Sequence, residues 1–481
     1  MRHGSPCILR DYQARAVDGV LGKLEDGARS VCLIAPTGAG KTAMGAALVQ
    51  DFVRRGLRVL WVAHRIELVE QAVARMGVPT GVIVAGACRI GIDKMPCVVA
   101  SLQTLARREM PPVDVLFIDE AHHVLAASYG RCIKRAGNAR LIGMTATPTR
   151  LDGKPLGSVF AEAVSAATVV ELIDEGHLVK PRVFTTPIEP DLRGVTKTGG
   201  DFSSEQLDTV VNTATLRGDI VRHWQESSAG RPTVLFAVSI EHSKALVQDF
   251  AAVGVRAVHV DGAMSRTARI EALQAVRTGN ATVLCNVGIV TEGYDDPALE
   301  TCVLARPTAS LSLLLQMVGR VMRPAPGKTG ALCLDHAGNF ARHGVLPWSD
   351  IDWVAKMQGV NKPKPPGVRT CPCMAILPAG TQVCPVCGHV FEVPGKRGPL
   401  ERKPVEVDNT VRLTEITDED ALLVNAHLER RSKPASTYIT KLAERFAAKK
   451  TKPAFTPYVR AARGAIGVAF YKFRQDTGKW P

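Results

Sequence analysis

The segment APTGAGKT, residues 35–42, carries the clearest chemistry in this chain. It follows a short apolar run, VCLIAP, and leads into AMGAALVQDFV, which has helical spacing. Glycines at a strand-to-helix turn let backbone N–H groups curl around phosphate oxygens, and the following helix N-terminus adds a favourable dipole. Pro36, Thr37, Gly38, Ala39 and Gly40 make that turn. Lys41 is placed to reach the β- and γ-phosphates, and the Thr42 hydroxyl to hold Mg²⁺. A second segment, VLFIDEAHHV, ends an apolar run on Asp119 and Glu120, where open α/β sheets carry their ligand groups. Asp119 is expected to hold the metal ion and Glu120 to polarise the attacking water. An acidic pair at a strand end is by itself an ordinary surface feature. Beside a phosphate loop it specifies nucleoside triphosphate hydrolysis, because phosphoryl transfer needs little beyond positioning and charge stabilisation. A third segment, QMVGRVMRP, sets Arg320 and Arg323 three apart on one helix face. Any such pair can be a basic helix surface. In a two-lobed NTPase, guanidiniums of the second lobe would instead stabilise charge on the γ-phosphate held by the first.

These groups need a scaffold, and the chain shows the same rhythm twice. Short β-rich runs at 31–36, 59–64, 97–101, 115–120 and 141–147 alternate with helical patterns, and a second set follows at 233–239, 257–262, 282–288, 302–306 and 331–335. Near-continuous apolar strands separated by helices imply parallel sheets covered on both faces. The expected fold class is α/β, with tandem parallel-sheet domains at 1–180 and 216–360. Residues 181–215, opening PRVFTTPIEPDLRG, are rich in Pro, Gly, Thr and charge and read as a linker or excursion. The breaks NKPKPPGVR (361–369) and VPGKRGPLERKP (393–404) set off two further regions, at 366–393 and 400–481.

With 481 residues, 46% hydrophobic and 22% charged, the chain has ample material for a core. No apolar run approaches the roughly 20 residues that span a bilayer, and MRHGSPCILRDYQ turns polar too early for a secretory signal. A cytosolic protein without a membrane partner is expected. Cys7, Cys32, Cys88, Cys97, Cys132, Cys285, Cys302 and Cys333 are scattered, several inside apolar runs, which suits reduced thiols rather than a disulfide framework. The net charge is +14, and from Lys362 onward 21 Lys and Arg face 11 Asp and Glu. Such a block suits a polyanion, or simply a solvated surface.

Residues 366–393 hold Cys371 and Cys373, one residue apart, and Cys384 and Cys387, two apart. Four thiolates could enclose a structural Zn²⁺, although the short first pair makes a tighter chelate than usual and leaves His389 as a replacement ligand. Reduced cysteines without metal are the bland alternative to that favoured zinc site. In 400–481, LTEITDEDALLVNAHLER and STYITKLAERFAAKK have helical spacing. Tyr458, Phe470, Tyr471, Phe473 and Trp480 are interleaved with Arg and Lys. They suit either the core of a small helical bundle or stacking on unpaired bases.

The ordered set LRDYQ (9–13), APTGAGKT, WVAHRIELVEQ (61–71), ASLQTL (100–105), IDEAH (118–122), MTATPTR (144–150), VTEGYDDP (290–297) and QMVGRVMR (316–323) resembles the motif series of superfamily 2 helicases of the DEAH-box type. The resemblance covers about residues 8–350. TATPTRLDGKPLGSVF, ELIDEGHLVKP, FAVSIEHSKAL, RPTASLSLLLQMVGR and LDHAGNFARHG are similar to bacterial and phage RadD-like DNA repair helicases, whose motor core is followed by a cysteine zinc module. This resemblance implies two tandem RecA-like domains, a small zinc-ribbon-like module and a helical C-terminal region. It assigns adenine reading, hence ATP, to Gln13, with Tyr12 packed near the base. Thr145 and Thr147 would couple the ATP state to the strand, and Gly293 and Asp295 would line the cleft. His64, Arg65, Ser101, Gln103 and Thr104 would lie on loops that touch the sugar-phosphate backbone without reading sequence. The implied partners are single-stranded, forked or branched DNA and a single-strand-binding or recombination protein, in the cytoplasm of a bacterial or phage-infected cell. Three activities fit these motifs: a helicase, a translocase or branch-remodelling enzyme, and a recruited interaction protein that uses ATP as a conformational timer.

Overall fold

The computed structural model describes residues 8–88, 92–150, 152–185, 190–290, 294–344, 346–349 and 351–360, with 368–370, 376–378, 389–390 and 414–416. The first lobe is built on β1 (Ser30–Ile34), β2 (Val59–Ala63), β3 (Thr80–Val84), β4 (Ala87–Cys88), β5 (Cys97–Ser101), β6 (Val115–Asp119), β7 (Arg140–Thr145) and β8 (Glu162–Ser165). They form one sheet in the order β4-β3-β5-β2-β6-β7-β1-β8, parallel except for the β3–β4 pair. The strands β2, β5 and β6 are buried at every residue, as expected of a sheet covered by helices on both faces.

Helices α1 (Asp11–Glu25), α2 (Lys41–Arg54) and α3 (Ile66–Arg75) supply part of that cover. On α1, the residues Tyr12, Ala16, Val17, Val20 and Leu24 recur every three or four positions and are buried, while Asp11 and Lys23 complement the dipole at either end. Gly45 of α2 lets the helix approach β2 closely, since a Cβ there would lie 2.5 Å from the Trp61 ring. Trp61 itself stacks on Phe117 with ring centroids 5.3 Å apart. Such a contact adds about 0.5–1.5 kcal/mol beyond the burial of the two rings.

The second lobe contains β9 (Pro181–Thr185), the short hairpin β10 (Lys197–Thr198) and β11 (Asp201–Phe202), then β12 (Thr233–Phe236), β13 (Ala257–Val260), β14 (Val283–Asn286), β15 (Thr301–Leu304) and β16 (Ala331–Asp335). After these come the hairpin β17 (Val368–Thr370) and β18 (Ile376–Pro378), and β19 (Thr414–Ile416). The large sheet runs β13-β14-β12-β15-β16-β9-β19, parallel except for β19 against β9. Each apolar run read as a strand contains one, and the two parallel α/β sheets match the expected class.

Several boundaries differ from the sequence reading. Residues 181–215 are not a linker: β9 is a strand of the second sheet, lying parallel to β16. Pro181 opens that strand, where its missing N–H interrupts the ladder least. The same span holds the β10–β11 hairpin and the helix Ser204–Val211, and another helix begins at Ala214. In the C-terminal region, Thr414–Ile416 is a strand at the start of a segment expected to be helical; Glu415 pairs with Arg182 of β9 at 2.8 Å. The rest of 400–481 lies outside the described residues, as do Cys371, Cys373, Cys384 and Cys387. Among the described residues, no helix is long and apolar enough to cross a membrane.

Candidate nucleotide site between the two lobes

Three neighbouring strands end at the site. The loop 35–40 leaves β1, Asp119 closes β6 and Thr145 closes β7, with Ala35 N–H donating to the Thr145 carbonyl at 3.0 Å. Gly38 and Gly40 adopt φ of +90° and +81°, which side-chain-bearing residues rarely do. Space forbids substitution as well: a Cβ at Gly40 would lie 2.4 Å from Gln13 Nε2, and one at Gly38 would lie 2.9 Å from Leu178. Gly40 caps α2, so the amides of that helix's first turn open onto the loop.

The Tyr12 hydroxyl and Gln13 Nε2 both donate to the Ala39 carbonyl, at 2.8 and 2.9 Å, and Gln13 Oε1 accepts from Arg10 N–H at 3.0 Å. Both ends of the Gln13 amide are therefore engaged, and reading adenine would require it to exchange one of these partners. His177 packs beside Tyr12, with ring centroids 5.3 Å apart.

Glu120 is the one non-glycine residue with positive φ among the described residues, at 49°, and such a conformation costs about 1–3 kcal/mol. It turns the Glu120 carboxylate to within 3.8 Å of Lys41 Nζ, in a site where the two side chains are 9% and 15% exposed. Asp119 accepts from Glu120 N–H at 2.9 Å. Burial first, and then the neighbouring Glu120 charge, push the Asp119 carboxyl up to about 7, against the pull of Lys41. Two buried carboxylates facing one ammonium leave an excess of negative charge that a divalent cation would offset. The carboxylate of Asp119 and the hydroxyl of Thr42 are hard oxygen donors suited to Mg²⁺, which would neutralise phosphate charge. Beyond the pair, His122 Nδ1 lies 3.4 Å from Glu120 Oε2 and 3.3 Å from Thr145 Oγ1.

The second lobe closes over this loop. A Cβ at Gly319 would lie 2.6 Å from Thr37 Cβ, so the chain after the helix Leu311–Val318 rests directly on the phosphate loop. Arg323 lies beside it: the ideal Cβ position of Gly38 is 3.3 Å from Arg323 Cγ and 3.6 Å from its Nε. The Arg323 guanidinium pairs with Asp295, and burial lowers its pKa to about 10. The two arginines do not share a helix face: the helix ends at Val318, and Arg320, in the turn that follows, donates from Nη1 to the Tyr294 carbonyl at 2.7 Å. Thr147 and Ser312 share a hydroxyl-to-hydroxyl hydrogen bond across the lobes. On the first-lobe side, the Thr145 hydroxyl accepts from Thr147 N–H at 3.1 Å.

The residues expected on nucleic-acid loops have internal partners. Arg65 donates to the carbonyls of Gly288 and Ile289 in the second lobe, at 3.0 and 3.2 Å. Gln103 donates to the His64 carbonyl at 2.8 Å. Ser101 caps the short helix Leu102–Leu105, accepting from Thr104 N–H at 3.3 Å and donating to Thr104 Oγ1 at 2.8 Å. Gly293 lies outside the described residues. Sequence reasoning assigned no role to His122, Ser312 or Gly319. A signal for Ser312 existed: in LSLLLQMV, Ser312 and Gln316 are the polar residues, four apart and both buried.

Residues 6–150 match the family described as the res subunit of type III restriction enzymes, and residues 215–325 match the helicase conserved C-terminal domain. A 51.5 kDa protein of a Lactococcus phage is 30% identical over 373 residues, covering 76% of this chain and 79% of that protein. The putative ATP-dependent helicase IRC3 of Saccharomyces cerevisiae is 32% identical over 358 residues, or 69% of this chain; the match spans 52% of the yeast protein's length. A solved fragment of a putative HsdR subunit of a type I restriction enzyme from Vibrio vulnificus YJ016 shares the fold, with TM-score 0.55 and 20% identity over 72% of this chain and 66% of that one. The chain belongs to the superfamily 2 helicases, and it is an ATPase of that class.

Ser312→Ala would leave Thr147 without its partner across the lobes. It is expected to lower nucleic-acid-stimulated ATP turnover by roughly 10-fold, the scale of one lost buried hydrogen bond, while the ATP KM changes by less than about 3-fold. Steady-state kinetics of Ser312→Ala, Thr147→Ala and the double variant check this. The double loss should match the larger single loss; fully additive losses would show that the two hydroxyls act separately.

Proposed function

We propose that this protein is an ATP-driven DNA motor, a helicase or translocase that couples hydrolysis to movement on DNA, or to its remodelling, in repair, recombination or replication. One observation carries the reading: Arg323 and Gly319 of the second lobe lie on Thr37 and Gly38 of the phosphate loop, while Arg65 of the first lobe holds Gly288 and Ile289 of the second. The nucleotide state would thereby be linked to the relative position of two surfaces that could grip a strand. In the hydrolysis step, Lys41 and Arg323 stabilise the charge of the transferring phosphoryl group, and Glu120 orients and deprotonates the attacking water. His122 relays the state of Glu120 to Thr145, and Thr147 passes it to the second lobe. Gln13 selects adenine after releasing Ala39 or Arg10. The DNA role is supported by the similarity of TATPTRLDGKPLGSVF and LDHAGNFARHG to RadD-like repair helicases, and by the basic C-terminal block. A single-strand-binding or recombination protein is the partner class implied by the same similarity.

ATP hydrolysis measured with single-stranded, duplex, forked and RNA ligands, beside Lys41→Ala, tests the motor. Turnover should rise at least about 10-fold on single-stranded or forked DNA and fall to background in Lys41→Ala. No stimulation by any nucleic acid contradicts the reading. Stimulation without displacement of a labelled fork strand would favour a translocase or an ATP-timed accessory protein over an unwinding enzyme.

For the four cysteines we propose a structural Zn²⁺ that fixes the basic tail relative to the motor. The spacing of CPVCGH supports this, as does the antiparallel pairing of β17 with β18, strands that flank Cys371 and Cys373 in sequence. Metal analysis should find about one zinc per native chain and none in Cys384→Ser. Retention of zinc by Cys371→Ser would assign its place to His389 or water, and a metal-free native protein would contradict the site.

A further inference from the structure

The segment after the helix Leu311–Val318, which bears the two arginines, is held by a lysine well outside the phosphate loop. The sequence Ala325-Pro326-Gly327-Lys328 forms a tight turn, with Lys328 N–H donating to the Ala325 carbonyl at 3.1 Å and Gly327 at φ +79°. Proline at the second position and a positive-φ glycine at the third are what a type II turn requires. The turn sends the Lys328 side chain back beneath the chain it has just left. Its Nζ lies 2.7 Å from the Val321 carbonyl, 2.7 Å from the Arg323 carbonyl, 2.6 Å from the Leu299 carbonyl and 3.3 Å from the Pro297 carbonyl. An ammonium has three N–H donors, so the longest of these contacts shares a proton.

The four carbonyls belong to two segments that must agree for Arg323 to be placed. One is the arginine segment itself, 321–323. The other, 297–299, continues the stretch in which Asp295 pairs with the Arg323 guanidinium and the Tyr294 carbonyl accepts from Arg320. The Arg323 main chain and its side-chain counter-ion are thus joined through a single charged group. A carbonyl cage also favours a cation over a neutral donor, because charge-assisted hydrogen bonds are about twice as strong as neutral ones.

We propose that Lys328 is a positioning residue for ATP hydrolysis: its ammonium fixes the Arg323 main chain to the segment carrying Asp295, and so sets where the Arg323 guanidinium lies over the phosphate loop. This rests on the reading that Arg323 stabilises charge on the γ-phosphate. The protonation state of Lys328 adds a second readout. Burial pulls the ammonium down to about 8, and the Arg323 charge acts in the same direction, while Glu300 and Asp296 oppose it. The protonated form makes the cage, so its contribution to turnover is present below that pH and is lost as pH rises through it.

The test uses the full chain, with ATP turnover and binding of a fluorescent ATP analogue measured on the best-stimulating nucleic acid. Lys328→Met keeps the stem and removes the donors. It should lower kcat by roughly 10- to 100-fold, the cost of a displaced catalytic group, with analogue affinity within about 3-fold of native. Added to Arg323→Ala, it should cost nothing more. The native kcat should fall above about pH 8, and Lys328→Arg, which stays charged, should remove that fall. An unchanged kcat in Lys328→Met, beside a severe loss in Arg323→Ala, overturns the inference and leaves the Arg323 reading standing. An unaffected Arg323→Ala overturns both. If Lys328→Met does not fold, the native pH profile decides: a kcat that is flat between pH 7.5 and 9.5 overturns the proposal.

Discussion

The contact of Gly319 and Arg323 on Thr37 and Gly38 is the constraint from which the rest of the arrangement follows. In the proposed reaction, Lys41 of the phosphate loop would be joined at the transferring phosphoryl group by positive charge from the other lobe. A glycine on each side permits this contact. A side chain at Gly319 would collide with Thr37, and one at Gly38 would meet Leu178 and crowd Arg323. Both absences of a Cβ allow the backbone of one lobe to lie on the other.

Ion pairs add to the contact between the lobes at its rim. Arg266 pairs with Glu70, and Arg269 with Glu67 at 3.4 Å; exposed pairs of this kind contribute about 0–1 kcal/mol. Better-shielded links join Thr147 to Ser312 and Arg65 to the 288–289 carbonyls. An interface with weak ion pairs at its rim could be tipped by the differential affinity of a bound ligand. In the proposed mechanism, the strained Glu120 and the chain of His122, Thr145 and Thr147 would give that ligand a route to the second lobe.

Chemistry and scaffold were legible in the sequence to different depths. APTGAGKT and IDEAH point to their proposed roles locally, because a turn of glycines or a carboxylate at a strand end works through its immediate neighbours. The apolar strands were equally plain. The β9 strand was not, since its Pro and Thr content imitates a linker and only the β16 edge gives it a place. Likewise, Arg65 reads as a loop cation until residue 288 is beside it, 223 positions away in the chain. Gln13 carries the residue type of an adenine reader, yet its hydrogen bonds to Ala39 and Arg10 appear only after folding. Lys328 gives no signal beyond a Pro-Gly turn, for its four carbonyl partners come from two separate segments.

The lobe-to-lobe distance is the most direct test of the link between nucleotide and closure. Spectroscopic labels introduced through unnatural amino acids at the exposed positions Glu109 and Glu271 report it by pulsed electron resonance. With a non-hydrolysable ATP analogue, Mg²⁺ and single-stranded DNA, the distribution should be narrow and short. Without nucleotide it should broaden toward longer distances, and Arg323→Ala should stay broad even with the analogue. One unchanging distribution in all of these states would contradict closure by the γ-phosphate.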